Sequence, residues 1–220
     1  MPNTPCTLSL VVLRNLPLFS GLDDVELEKL SKVAGRKRVE RGAAVVRAGE
    51  STDSLYVLLN GRAKVTNHDE DGKEIILAWL GQGESFGEMG LIDGSPRSAN
   101  VIAAEASELL YLSKEAFERC MRDNFQVAQK LMRILVQRLR EADRKIESLA
   151  LLDVYGRVAR LLLDMSELIE GRRVVKKKIS KQDMAKMIGA SREMVSKVMR
   201  DLELSGYIRY DNDLLVIPGA

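Results

Sequence analysis

The sequence predicts an α+β protein, with an antiparallel β domain first, a long helix second and a small domain of helices and strands last. Three observations predict this class. Short β-rich runs, separated by Gly, Asp and Asn, recur about every ten residues between Val39 and Leu112. No Gly or Pro interrupts the chain between Lys114 and Leu152, and a basic segment with two helical patterns and two strand-like runs completes it.

Composition and charge narrow the functional classes. The 220 residues are 45% hydrophobic and 30% charged, which is typical of a globular protein with a substantial core. The net charge of +2 hides a basic segment, Arg172–Arg200, in which ten Lys or Arg residues face only two acids. Such a segment is compatible with nucleic-acid binding.

Neither cysteine pattern nor hydropathy indicates export or a membrane. Cys6 and Cys120 are too few and too far apart for a disulfide framework or a metal motif. The start, MPNTPCTLSLVVLRNL, lacks a basic n-region, and no run reaches the roughly 20 apolar residues of a membrane span. We therefore expect a cytoplasmic protein with no metal site and no membrane partner.

The first domain is predicted element by element. DDVELEKLSKV has helical spacing after the turn at Gly21, and EDGKE carries the Asp-Gly signal of a tight hairpin. Six runs are predicted as strands of an antiparallel barrel or sandwich: AAVVRAG, SLYVLLNG, RAKVTNHD, EIILAWLG, SANVIAAE and ELLYLS.

The long helix carries one apolar stripe at spacings of three and four, formed by Leu131, Leu135, Leu139, Ala142, Ile146 and Leu149. It either packs on its own domain or forms the seam of a two-stranded coiled coil, and the dimer is the favoured interpretation. Asp153 is predicted to cap a new helix, which makes Leu151–Asp153 a plausible hinge.

A helical pair is predicted within Ser180–Ile208. Ser180 and Asp183 resemble a capping box, Gly189 permits a sharp turn, and Ser191 caps the second helix. The predicted inward residues are Met184, Ala185 and Ile188 on the first helix, and Met194, Val195, Val198 and Leu202 on the second.

The polar face of the second helix is suited to a major groove. Four residues project outward as candidate base readers: Arg192, Glu193, Ser196 and Lys197. Arg192 can donate to guanine and Glu193 can accept from cytosine. Four residues at the helix ends are candidate phosphate contacts: Ser180, Lys181, Gln182 and Ser191. The alternative is an ordinary solvated helix face.

The segment FGEMGLIDGSPRSANV combines groups that a plain hairpin does not need. Gly87 and a short helical turn at Glu88 and Met89 can bring backbone amides close to an anion. Arg97 supplies a planar cation for phosphate, and Ser98 adds a hydroxyl donor. Glu88 can accept from a ribose hydroxyl. The residues predict either a sugar-phosphate pocket or a hairpin with a surface Glu88–Arg97 salt bridge.

This segment resembles the phosphate-binding cassette of cyclic-nucleotide-binding domains, and SLYVLLNGRAKV resembles a strand-turn-strand unit of their β-roll. RKIESLALLDVYGRVARLLL and SREMVSKVMRDLE are similar to the dimer helix with its hinge and to the recognition helix of the CRP/FNR family of transcription regulators. The resemblance implies a jelly-roll β-roll (1–121), a dimerisation helix with hinge (122–152) and a winged helix-turn-helix domain (153–220).

Function follows from the same resemblance. It implies a homodimer that binds a pseudo-palindromic DNA operator, with half-sites related to TGTGA or TTGAT, and that contacts RNA polymerase. It implies that Gly87, Glu88, Met89, Arg97 and Ser98 bind a cyclic nucleotide. No covalent cofactor and no enzymatic activity are expected, since the single histidine, His68, leaves no catalytic constellation.

The identity of the nucleotide stays open. Where the cyclic AMP receptor has adjacent Thr and Ser that contact adenine, this chain has Ala142 and Asp143. A carboxylate can accept from the N–H donors of guanine, so the ligand is either cyclic AMP or a guanine nucleotide such as cyclic di-GMP. Alternatively, Asp143 faces solvent or the partner helix. A nucleotide-independent regulator with a relic pocket is the second hypothesis.

Overall fold

A computed structural model describes residues 9–176, 179–212 and 214–218. Its residue contacts divide the chain into two compact units, residues 1–137 and 138–220. The predicted boundaries 1–121, 122–152 and 153–220 stay a prediction. Within the described ranges, no helix is long and apolar enough to cross a membrane.

The first unit is built from two antiparallel sheets and short helices. The first sheet has the order β1-β8-β3-β6 and the second the order β2-β7-β4-β5. The strands are β1 (Gly35–Val39), β2 (Ala44–Val46), β3 (Ser54–Asn60), β4 (Ala63–His68), β5 (Glu74–Leu80), β6 (Ser85–Phe86), β7 (Asn100–Ala103) and β8 (Ser107–Ser113). The helices are α1 (Leu10–Arg14), α2 (Asp24–Val33), α3 (Met89–Asp93) and α4 (Lys114–Asp123).

This arrangement confirms the predicted antiparallel β-roll. All six predicted runs contain a strand, and the EDGKE segment closes the β4–β5 hairpin, where the Lys73 amide donates to the Asp69 carboxylate at 2.8 Å. Two short strands, β1 and β6, were not predicted. The helix predicted in DDVELEKLSKV is α2, and its start is fixed by a capping box between Asp23 and Glu26.

The core of the first unit explains why these elements stay together. One apolar cluster packs the N-terminal helices and α4 against β3 and β8, with Phe19, Leu55 and Leu112 fully buried. A second cluster fills the space between the two sheets. Each fully buried Leu or Phe contributes about 1.5–3 kcal/mol, so the two clusters hold the roll and its helices as one body.

The helical region after the β-roll is interrupted once. Asn124 leaves the helical conformation and separates α4 from α5 (Phe125–Leu151). Its amide and side-chain nitrogen both donate to the Cys120 carbonyl at 3.1 Å, which ends α4. Cys120 itself is buried, and burial raises the pKa of its thiol to about 11.

The only tryptophan of the chain lies on β5, an edge strand of the second sheet. The guanidinium of Arg62 stands over the Trp79 ring at 4.7 Å from its centroid. The indole nitrogen is buried, and its N–H donates to no acceptor among the described residues. The ring is therefore held by packing and by the cation above it.

The second unit pairs helices with a small sheet. Its helices are α6 (Val154–Met165), α7 (Lys181–Ile188) and α8 (Arg192–Leu204), and its strands are β9 (Glu167–Ile169), β10 (Arg172–Val175), β11 (Arg209–Asp211) and β12 (Leu214–Ile217). The sheet is antiparallel with the order β11-β12-β10-β9. Strands after a helical pair confirm the winged helix-turn-helix prediction. Part of the predicted VVKKKIS strand, Lys177–Lys178, lies outside the described residues.

Asp153 caps α6 as predicted, because its carboxylate accepts from the Gly156 amide at 2.8 Å. The apolar cluster of this unit joins all three helices to the sheet, with Val158 and Val195 fully buried. The predicted apolar stripe on α5 has two parts with different environments. Leu131 is buried in the core of the first unit and Leu135 packs against that core. Leu139, Ile146 and Leu149 are exposed.

Candidate nucleotide pocket and DNA-binding helices

Residues 86–101, called the cassette from here on, begin where β6 ends. Gly87 has φ +84°, a left-handed conformation that favours glycine, and a Cβ at this position would meet the Arg97 guanidinium and the Ser54 carbonyl. The chain then enters α3 and leaves it through Gly94, at φ +75°. The glycines therefore let the backbone turn tightly around the Arg97 side chain.

Arg97 is the centre of the cassette. It is 7% exposed, and its Nη1 donates to the Gly87 carbonyl at 2.9 Å. Its Nη2 donates to the Ser54 carbonyl at 2.8 Å and lies 3.3 Å from the Asp53 carboxylate. The Tyr56 ring flanks the guanidinium at 5.9 Å. These groups fix the orientation of the guanidinium before any ligand arrives.

The other predicted pocket residues lie in the same segment. Glu88 is 2% exposed, so its carboxylate is buried within this segment. Met89 and Ser98 are exposed and adjacent, with the Ser98 hydroxyl 3.8 Å from the Met89 sulfur. The structure thus places Gly87 beside Arg97, and Met89 beside Ser98. Their roles toward a ligand stay predictions.

The alternative of a surface Glu88–Arg97 salt bridge is wrong in one respect, because both side chains are buried. The ion pair that the structure gives Arg97 is with Asp53, whose own side chain is 83% exposed. Sequence reasoning missed Asp53, which precedes β3, and Ser54 and Tyr56, which lie within it. Their only signal was the polar start of the SLYVLLNG run.

Ala142 and Asp143 lie on α5, in the second unit, and both are exposed. Exposure leaves the Asp143 carboxylate available to accept a hydrogen bond. Their part in ligand binding stays a prediction. Among the described residues, no group of His, Cys, Asp or Glu could hold a metal ion.

The helix-turn-helix is set by its caps. The Ser180 hydroxyl accepts from the Asp183 amide at 3.0 Å, and the Ser191 hydroxyl accepts from the Met194 amide at 3.1 Å. Between the helices, Gly189 has φ +65°, and the Arg157 guanidinium donates to the Ile188 carbonyl at 2.8 Å. These bonds satisfy helix ends and fix the angle between α7 and α8.

The capping box at Ser180 differs from its prediction in one bond. The Asp183 carboxylate accepts from the Ser180 hydroxyl at 2.8 Å. A complete capping box has that carboxylate accept from the cap's backbone amide instead.

Most of the predicted faces are confirmed. Met184, Ala185 and Ile188 are buried on α7, while Arg192, Glu193 and Lys197 are exposed on α8 and Ser196 is half-buried. The phosphate candidates Ser180, Lys181, Gln182 and Ser191 are all exposed.

Met194 is a correction. We expected it in the core with Val195, Val198 and Leu202, but it is 44% exposed and Met199 is buried in that set instead. The physical reason is the helical angle: Met199 is four residues from Val195 and three from Leu202, whereas Met194 lies at the edge of that stripe.

Two protein families match this chain in the expected order. The family described as cyclic nucleotide-binding domain matches residues 36–124, which cover the β-roll and its cassette. The family described as Crp-like helix-turn-helix domain matches residues 156–218, which contain α7, α8 and the sheet. The matches coincide with the two sites.

Relatives match over most of their length. The chain is 35% identical over 185 residues to the cAMP-activated global transcriptional regulator CRP of Pasteurella multocida, covering 81% of this chain and 87% of that protein. It is 32% identical to the cAMP-activated regulator Vfr of Pseudomonas aeruginosa, covering 88% and 94%.

Among solved structures, the c-di-GMP responsive global regulator CLP of Xanthomonas campestris has a TM-score of 0.74 at 26% identity. The match covers 90% of this chain and 100% of that one. The names of the two curated relatives state cAMP, whereas that of the solved structure states c-di-GMP.

Proposed function

The chain belongs to the CRP/FNR family of DNA-binding transcription regulators, and on that premise we propose that a cyclic nucleotide in its β-roll controls its engagement with DNA. Because the family consists of regulators, the expectation that this protein is not an enzyme is confirmed. We further propose that it acts in the cytoplasm and that it contacts RNA polymerase.

The observation that carries the ligand proposal is the buried guanidinium of Arg97 inside a glycine-lined turn. Carbonyl partners fix the plane of the guanidinium, and its five N–H groups exceed what those carbonyls use. A phosphate would accept from the remaining donors and from the Ser98 hydroxyl, while buried Glu88 would accept from a ribose hydroxyl. The residue types therefore fit a sugar phosphate.

The base is recognised, we propose, at Ala142 and Asp143. Cyclic AMP is supported by the names of the curated relatives, and a guanine nucleotide such as cyclic di-GMP is supported by the solved neighbour and by the Asp143 carboxylate. Neither residue reproduces the hydroxyl contacts expected for adenine. A titration with each nucleotide is therefore the experiment that decides which one binds.

We propose a homodimer joined along the second half of α5. Leu139, Ile146 and Leu149 are 61%, 65% and 50% exposed and share one helix face. A continuous exposed apolar stripe on a long helix is typical of a coiled-coil seam. Ile146→Asp should convert the dimer to a monomer in sedimentation equilibrium, while Glu147→Gln, at the neighbouring position, should leave the dimer unchanged.

On DNA, α8 of each protomer would enter the major groove of one half-site, with the half-sites one helical turn apart. Arg192, Glu193, Ser196 and Lys197 would read bases, and Ser180, Lys181, Gln182 and Ser191 would contact phosphates. The exposed charged residues lie in the first two turns of α8, where they can reach base edges.

Ligand control is proposed as a population shift. Phosphate binding at Arg97 and base contact at Asp143 would favour one arrangement of the two α5 helices, and the hinge at Leu151–Asp153 would pass it to the DNA-binding domains. The ligand changes DNA affinity only as far as it binds one arrangement more tightly than the other.

The test is a calorimetric titration of the nucleotide-stripped protein with cyclic AMP, cyclic GMP and cyclic di-GMP. The Arg97→Ala variant should lose binding of whichever nucleotide binds the wild type. Loss of guanine-nucleotide binding alone in Asp143→Ala would support the guanine contact, and tight cyclic AMP binding unaffected by this change would refute it.

A gel-shift assay then separates the main proposal from the nucleotide-independent alternative. Adding the nucleotide should change the affinity of the wild-type protein for a selected operator. Equal operator affinity of the wild type with and without the nucleotide, and the same affinity in Arg97→Ala, would show that the pocket is a relic and that DNA binding is constitutive.

A further inference from the structure

Met194 is an apolar residue in the polar half of α8. It is 44% exposed, and it lies in the first turn, where its amide donates to the Ser191 cap at 3.1 Å. The core of the domain is filled without it, by Val195, Val198 and Met199. Met194 therefore presents its side chain to solvent from a fixed backbone position.

Its neighbours on α8 are the candidate base readers. Met194 directly follows Arg192 and Glu193, and Lys197 is one turn further along the same side of the helix. An α-helix rises about 1.5 Å per residue, so the positions of Met194 and Lys197 along the helix axis differ by only about 4.5 Å. Met194 therefore lies at the same end of α8 as the candidate base readers, at the edge of their face.

The major groove offers one apolar feature, the C5-methyl group of thymine. The methionine side chain is long, flexible and polarizable, which suits it to a small apolar contact of irregular geometry. Exposed apolar surface in the free protein loses its water when it meets that methyl group, so the contact favours thymine over cytosine and over uracil.

We propose that Met194 is a further specificity-determining residue, which selects thymine in each half-site through its methyl group. This inference rests on the proposed function, because it requires that α8 enters the major groove. It adds an apolar contact to a set of readers that otherwise consists of hydrogen-bonding side chains.

The experiment uses the full-length dimer and a duplex that the protein enriches from a randomised pool, in the presence of the nucleotide found by titration. Each thymine is then replaced singly by deoxyuridine, which lacks only the C5-methyl group. At one position in each half-site, this replacement should weaken wild-type binding about fourfold, the value expected for one buried methyl group. Met194→Ala should bind the thymine and uracil duplexes equally.

Two variants make the result specific. Met194→Leu keeps an apolar side chain and should retain the uracil penalty. Leu204→Ala removes a more exposed apolar residue at the other end of α8 and should also retain it. Both changed positions are exposed, so the variants fold.

Two outcomes would overturn the inference: wild-type binding that is insensitive to every uracil, or an unchanged penalty in Met194→Ala. If no duplex is enriched at all, DNA reading by α8 fails and this inference fails with it. If a duplex is enriched but uracil has no effect, only the inference fails.

Discussion

The cassette and α8 each carry an arginine for which we propose an anionic partner, but the two side chains are held in opposite ways. Arg97 is 7% exposed and is held by backbone carbonyls, whereas Arg192 stands in solvent on the first turn of α8. A buried guanidinium is positioned by folding, so its loss changes both stability and binding. An exposed one is positioned by its helix, so its loss changes binding alone.

The largest difference should come from the glycines of the cassette. At Gly87, alanine would have to adopt φ +84° and would meet the Arg97 guanidinium, so Gly87→Ala should lower the free energy of unfolding by about 3 kcal/mol. Gly94 also has a positive φ, of 75°, but an added Cβ has open space there. Gly94→Ala should therefore cost about 1 kcal/mol.

Urea unfolding followed by circular dichroism measures both free energies. Equal costs for Gly87→Ala and Gly94→Ala would mean that the approach of Arg97 to Gly87 does not constrain the cassette.

The next largest difference in stability is expected between variants of the two arginines, Arg97 and Arg192. Arg97→Ala removes the donors of the Gly87 and Ser54 carbonyls and should cost about 2 kcal/mol of stability. Arg192→Ala should change stability by less than about 0.5 kcal/mol, as expected at an exposed position. Thermal unfolding in the absence of nucleotide tests this contrast, and the comparison is broken if the two variants lose equal stability.

A smaller effect on stability is expected at the N-terminal caps of α7 and α8. Ser191→Ala removes the hydrogen bond to the Met194 amide and should cost about 1 kcal/mol, as should Ser180→Ala at the start of α7. Ser191→Gly should recover most of that loss, because glycine is nearly as good a cap. The midpoints of urea unfolding measure these costs. No loss of stability in Ser191→Ala would show that α8 does not depend on its cap.

The smallest effect on stability, near zero, is expected for Lys181→Ala, since Lys181 is exposed at the first position of α7. Its predicted phosphate contact should appear in DNA binding instead. Affinity should fall evenly across sequences, and the slope of log K against log salt should decrease by about 1. Lys186→Ala, on the same helix, is the control. An unchanged slope would remove Lys181 from the DNA interface.

Much of the fold could be predicted because strands and helices repeat at different periods. The runs around β3, β4 and β5 alternate or are bounded by turn residues, and α8 has clear caps. β1 escaped prediction because GRKRV places charges at three successive positions and buries only Val39. Its pairing with β8 is completed by ion pairs of Arg36 and Arg38 with Glu108, which no local pattern reveals.

The interruption of the long helix had a different cause. Asn124 is neither Gly nor Pro, yet its side chain bonds to the Cys120 carbonyl and competes with the helical backbone. Asparagine inside a helical pattern is common enough that the break could not be located from sequence.

The candidate site was predicted in part for a related reason. Gly87, Glu88 and Arg97 could be found because they are close in sequence. Ser54 and Asp53 are more than forty residues upstream of Arg97, and only the packing of β3 beside β6 brings them to it. Met194 was misplaced because it lies at the edge of the apolar stripe, where a choice between Met194 and Met199 depends on the shape of the core.

The single tryptophan, Trp79, has a practical consequence. All indole emission comes from β5 in the first unit, under the Arg62 cation, and none comes from the helix-turn-helix. Indole fluorescence therefore reports the β-roll alone, without labelling. In a denaturation series, its transition can be compared with the whole-chain ellipticity, and coincident curves would mean that the two units unfold as one cooperative body.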